Sequence, residues 1–212
     1  NPSEPAAIAA LRADQTRTAA QLEAQAARLR ASTADPRFRA WATLAEAEFA
    51  NDQEHADEAM AGLDQAIAQA DALKLPDLRF EALIRLSTVL VNRGRSKDTE
   101  AVLAKMQASE AETGCLQFAA ERHRLTGLCL LARSAPDVAA ARASFEQALA
   151  ISRDQGARLL ELRAAASLSQ LMLQHGQAAQ ARQVLATAFD GFTEGFGTPD
   201  LADAAGKLGS AA

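Results

Sequence analysis

The chain has no tyrosine and a single tryptophan, Trp41, and aromatic residues fill only 4% of its 212 positions. The hydrophobic fraction is nevertheless 49%, so alanine supplies much of it. Alanine has the highest intrinsic helix propensity, and its small side chain lets helices approach closely. An all-α fold is therefore expected before any periodicity is considered. No apolar run nears the roughly 20 residues of a membrane span, and no basic segment leads into an apolar one at the start. A cytoplasmic chain away from membranes is the expectation. Basic residues are outnumbered, with a formal net charge of −5. A concentrated phosphate-binding face, and with it direct nucleic-acid binding, is not expected.

Cysteine is nearly absent. Cys115 and Cys129 fall within one expected helix, where a rise of about 1.5 Å per residue would separate them by roughly 21 Å. A disulfide requires less than about 7 Å, so both are read as small core residues. Catalytic signatures are missing too: there is no GxxxxGK[ST], complete GxGxxG, HExxH or GxSxG. His55, His123 and His175 stand singly, without cysteines or carboxylates at metal-ligand spacing. His175, just before Gly176, reads as a helix-end cap. No cofactor, metal or catalytic residue is expected.

What the chain does have is punctuation and repetition. Pro36, Pro76, Pro136 and Pro199 stand where apolar periodicity breaks, and Gly94, Gly114, Gly156 and Gly176 follow helical runs. Between these marks lie pairs of helices. A small-xxx-large-xx-small pattern recurs at Ala59/Leu63/Ala66, Thr99/Leu103/Met106, Ala141/Phe145/Ala148 and Ala181/Leu185/Ala188, at steps of 40, 42 and 40 residues. Leu86, Leu90, Leu168 and Met172 recur in the preceding helices, with Thr126, Gly127 and Leu130 in the equivalent places of the third pair. Ala47, Ser87, Gly127 and Ser169 fall where paired helices cross most closely.

This pattern resembles the tetratricopeptide repeat, best in "AARASFEQALAI", residues 140 to 151. The resemblance implies antiparallel helix hairpins stacked as an α-solenoid. Residues 1–35 are expected to form an N-terminal capping helix, with Ile8, Leu11, Thr18, Leu22 and Leu29 as its apolar stripe. Residues 36–197 form four hairpins and residues 198–212 a C-terminal capping helix and tail. Thr198 would be its N-cap, Pro199 its first residue and Asp200 a favourable first-turn charge. Phe189, Phe192 and Phe196 are expected to anchor the last repeat and its turn, with Gly195 and Gly197 allowing the reversal.

The C-terminal wording is more specific. "LELRAAASLSQL", "HGQAAQARQVL" and "GFTEGFGTPDLADA" together resemble the C-terminal region of bacterial multidomain adenylate or guanylate cyclases and ATPase-type transcriptional regulators. The matching positions include Glu161, Arg163, Ser167, Gly176, Phe192, Gly195, Phe196, Asp200 and Leu201. Gly191 and Gly197 depart, standing where tryptophan and aspartate are common. The likeness covers residues 157 to 203, about a fifth of the chain. It implies a helical regulatory region without a catalytic centre of its own, and the start at Asn1 fits a processed chain or a piece of a longer one.

In a tetratricopeptide array the first helix of each pair lines a concave groove. The register places Trp41, Leu44 and Glu48 there, then Glu81, Ile84, Thr88 and Asn92. Glu121, Arg124 and Leu128 follow, then Arg163, Gln170 and Gln174. Apolar groups would hold a peptide or small-molecule effector while Asn92, Arg124 and Arg163 fix its polar ends. The expected function is binding of a partner protein segment or effector. The alternatives are a free-standing adaptor for peptides and a helical enzyme of unfamiliar type. Oligomeric state is open.

Overall fold

The computed structural model describes residues 35–210, and every described helix is α. The helix expected over 1–35 lies outside the described residues except for Asp35. Nine helices follow in order: α1 Pro36–Asp52, α2 Ala56–Leu73, α3 Pro76–Asn92, α4 Ser96–Thr113, α5 Ala119–Leu131, α6 Val138–Asp154, α7 Arg158–Gln174, α8 Ala178–Phe189 and α9 Pro199–Ser210. No strand occurs among the described residues, and no helix there is long and apolar enough to cross a membrane. The architecture is an all-α helical-hairpin repeat.

Five of the turns share one construction. Glu54, Lys74, Gly94, Gly156 and Gly176 each take a left-handed conformation, with φ between 55° and 74°. The next residue then donates its N–H to a carbonyl five positions back, as His55 to Ala50, Leu75 to Ala70, Arg95 to Leu90, Ala157 to Ser152 and Gln177 to Met172, at 2.8–2.9 Å. This is the Schellman closure, which satisfies carbonyls left over at a helix C-terminus. The same five residues accept from N–H groups four positions on, at 2.9–3.0 Å, and so begin the next helix. One residue ends one helix and starts another, and the chain reverses within three positions. Glu54 and Lys74 hold this conformation with a side chain, where glycine would be less strained.

The chain divides into two compact units, one reaching Val89 and the other beginning at Leu90. In the first, α1 packs against α2. Gly62 of α2 faces Ala47 of α1 so closely that a Cβ on the glycine would lie 2.8 Å from the alanine Cβ. The α3 side chains Leu78, Phe80, Ala82 and Leu83 are all buried. In the second unit α5 packs against α4, α6 and α7, α7 against α6 and α8, and α9 against α7 and α8. Within this unit each hairpin thus adds one helix to the preceding hairpin's seam. The terminal helix α9 buries Leu201 and Ala204 in the core of the last two hairpins.

The twelve register positions are all buried. The large residue of each triplet fills the space between helices, and the small ones admit the neighbouring backbone. The tightest fit is at Gly127, where a Cβ would come within 2.4 Å of the fully buried Phe145 ring. The cysteines depart from expectation. Gly114 ends α4 in a left-handed conformation and α5 does not begin until Ala119. Cys115 therefore lies in a loop, half-buried, while Cys129 is buried within α5 and its thiol donates to the Ser96 carbonyl. Both are free.

A pair of substitutions separates propensity from packing. Gly127→Ala should destabilise by about 1–3 kcal/mol, because overpacking against Phe145 outweighs the helix-propensity gain. Gly206→Ala in α9, where nothing lies within 4 Å of the added carbon, should stabilise by about 0.5–1 kcal/mol. Urea unfolding of the two variants beside the parent chain measures both.

Candidate functional site

In the first unit, residues 38, 41, 45, 48 and 52 form a three-and-four stripe on α1, opposite the buried Ala40, Thr43, Leu44 and Ala47. Phe38 is 66% exposed and Trp41 42%. Leu44 and Ile84, placed on the open face by the repeat register, are instead buried, because helix rotation turns their side chains into the hairpin seam. Trp41, Glu48 and Glu81 retain open positions. Thr88 turns its hydroxyl back to the Ile84 carbonyl at 2.9 Å.

Arg85 joins α3 to α1. Its guanidinium lies 2.6 Å from Glu48 and 3.8 Å from Glu81. Two carboxylates thus share one arginine. Burial pushes the Glu48 carboxyl above its ordinary range; Arg85 opposes the shift, while Glu81 and Asp52 reinforce it. The register reading missed Arg85, although its i,i+4 spacing from Glu81 is a legible helix-surface signal.

The second unit handles its charges differently. Arg124 donates to both carboxylate oxygens of Glu121, at 2.9 and 2.6 Å. Arg163 donates to both oxygens of Asp200, at 3.0 and 2.7 Å, so α7 grips the first turn of α9. Each arginine proposed to fix a ligand's polar end is occupied by an acid of this chain. Asn92, Gln170 and Gln174 are exposed, and Leu128 packs partly buried against the core. His175 caps as expected, with Nδ1 2.8 Å from the Leu171 carbonyl. Phe189 and Phe192 pack on the core, and the half-exposed Phe196 ring tilts against Phe189 at 5.8 Å. Arg158 reaches the Gly191 carbonyl across the same turn.

A buried cluster that sequence reasoning did not single out joins α4 to α5. Arg122 donates from Nε to Glu110 at 2.8 Å and lies 3.3 Å from Nε2 of His123. Arginine only donates, so Nε2 accepts, which fixes the neutral Nδ1–H tautomer. The second oxygen of Glu110 is buried without a hydrogen-bond partner. Glu110 and Arg122 are twelve residues apart across a turn, and no short-range pattern announces them.

No protein-family model matches the chain, and no curated protein matches it. The site must be read from its own geometry. Among the described residues, no three histidine, cysteine or acidic side chains come together to hold a metal ion. The first unit presents two exposed aromatics on α1 and, two turns further along the same stripe, a glutamate that shares Arg85 with Glu81. The second presents ion pairs already closed.

The His123 environment has a pH consequence. Burial, and then the Arg122 guanidinium, hold the imidazole below its ordinary value. The unfolded chain therefore takes up a proton before the folded one as pH falls. The stabilisation is complete above about pH 6.5 and is lost as pH falls through the folded value. His123→Gln should reduce the drop in unfolding midpoint between about pH 7.5 and about pH 5.5, measured in urea; an unchanged drop would show that another group is responsible.

Proposed function

We propose that this chain is a non-catalytic, tetratricopeptide-like regulatory region of a multidomain bacterial signalling protein. It binds a partner segment or effector on the exposed faces of its first helices and passes occupancy to an upstream domain. The observation that carries the binding part is Trp41, a large aromatic side chain held 42% exposed on a first helix in a chain whose Phe80 and Phe145 are fully enclosed. Exposed tryptophan beside polar groups is a common anchor of protein interfaces. The regulatory part rests on the C-terminal likeness over residues 157 to 203. Coupling requires an effector that favours one arrangement of the repeats, or of their contact with the upstream domain, over another.

Selection of a displayed library of twelve-residue peptides against the chain tests the binding part. Enriched sequences that lose binding on Trp41→Ala are expected, and a library with no enrichment removes the reading. The regulatory part is tested by the reading frame upstream of the codon for Asn1. A frame continuing into a cyclase, ATPase or DNA-binding domain is expected; a nearby start codon with no such domain leaves the adaptor alternative.

A further inference from the structure

The charge of this chain is unevenly placed. Between Asp35 and Val89 eleven acidic residues stand against five arginines and lysines, a formal net of −6, whereas residues 90–212 hold thirteen of each. The described part of the first unit thus carries the whole excess of negative charge; on α1 itself Arg37 and Arg39 flank Phe38, and the acids Glu46, Glu48 and Asp52 follow toward its C-terminal end. Phe38 and Trp41 are one helical turn apart on α1. Glu48 follows on the same stripe and is held against Arg85, which Glu81 shares.

We infer that this α1–α3 face docks a basic segment of a partner protein, in which an arginine or lysine lies over Trp41 and a neighbouring apolar side chain covers Phe38. The inference rests on the partner-binding reading and names the partner's chemistry. A cation over an indole face is attracted by the ring quadrupole, most strongly when partly desolvated. Charge complementarity favours that occupant over an acidic one. Glu48, Glu81 and Asp52 act together against the single Arg85, and the Glu48 carboxyl, pushed upward by burial and by its acidic neighbours, gains from a second cation. An incoming guanidinium would pair with Glu81, which is 3.8 Å from Arg85 and less closely held than Glu48. An acidic segment would meet two carboxylates with one arginine between them, and like-charge juxtaposition suppresses wrong partners. The aromatic pair supplies contact area and the carboxylates supply selection.

Trp41 is the sole tryptophan, so its emission reports on this face directly. The probes are a twelve-residue peptide alternating arginine with leucine, and its counterpart with glutamate in place of arginine. The arginine peptide should shift Trp41 emission saturably in the full chain, with affinity falling as salt rises. By calorimetry, Trp41→Ala and the pair Glu48→Gln with Glu81→Gln should each weaken binding about tenfold. The pair Asp57→Asn with Asp64→Asn removes equal charge from exposed positions on α2 and should change affinity less than about threefold. Circular dichroism should show unchanged helicity in all variants, since the α1 core face is untouched.

Equal binding of the glutamate peptide overturns the inference, as does equal weakening by the α2 variant. So does a Trp41 shift that follows protein concentration without peptide, which would assign the face to a second copy. A displayed library that enriches peptides while the arginine probe fails sinks this inference and leaves the partner-binding reading standing.

Discussion

The fold depends on turns in which one residue serves two helices. At His55, Leu75, Arg95, Ala157 and Gln177 the N–H closes the helix behind and the carbonyl opens the helix ahead. Two successive helix axes are thereby set by a single pair of backbone dihedrals and one left-handed neighbour. Side-chain caps are largely dispensable under that arrangement: His55, Arg95, Ala157 and Gln177 make no side-chain cap bond. Asp137, which precedes a helix not entered through such a turn, does cap with its carboxylate, and Asp35 caps α1 in the same way. With the reversal fixed by backbone, helices meet in a repeatable register, and the small-large-small triplet becomes sufficient to fill the seam.

Backbone turns do not distinguish one hairpin from another, and the charges supply that distinction. At three junctions an ion pair links the last turn of one helix to the fourth residue of the next. These are Asp71 with Arg79, Glu110 with Arg122 and Arg153 with Glu161, at 2.7–2.8 Å. The first two run acid to base and the third runs base to acid. Docking α3 on the end of α6 would set Arg79 against Arg153, and docking α7 on the end of α4 would set Glu161 against Glu110. Like charges at such close approach disfavour wrong neighbours, most strongly at the buried Glu110 position, where an uncompensated charge is costly. A different ion pair, Arg163 near the start of α7 with Asp200 in the first turn of α9, fastens the terminal helix.

Periodicity made the second helices legible because one stripe of each is enclosed on all sides. All twelve triplet positions are buried, and Ala47 and Gly127 sit at close crossings. First helices were harder to read, because they are shared between their own hairpin and the next and bury a wider arc. Leu44 and Ile84 were placed on the open face for that reason. A helix through Cys115 failed because apolar spacing continued across Gly114, whose left-handed turn overrides it. Trp41 is exposed and Glu48 and Glu81 are half-buried, as open-face positions allow. The partners of Arg124 and Arg163 could not be read from the register: an i,i+3 neighbour competes with many other surface pairings, and Asp200 is 37 residues away.

Formal net charge is a poor summary of what this chain presents to a partner. In the second unit, Arg122, Arg124, Arg133, Arg153 and Arg163 are each set against an acid of the same chain. All but the Arg124–Glu121 pair within α5 join two helices or, at Arg133, a helix and the turn after α5, and acids and bases are equal in number there. In the first unit Arg79 and Arg85 do the same work at Asp71 and Glu48, but between Asp35 and Val89 eleven acids stand against five arginines and lysines. Glu48 stands both among the paired acids and in the excess: it is held against Arg85 between α1 and α3, and with Glu81 it leaves two carboxylates on one arginine. Balanced pairs therefore hold the second unit's helices, and the proposed docking face lies where the balance fails, at two carboxylates sharing one arginine.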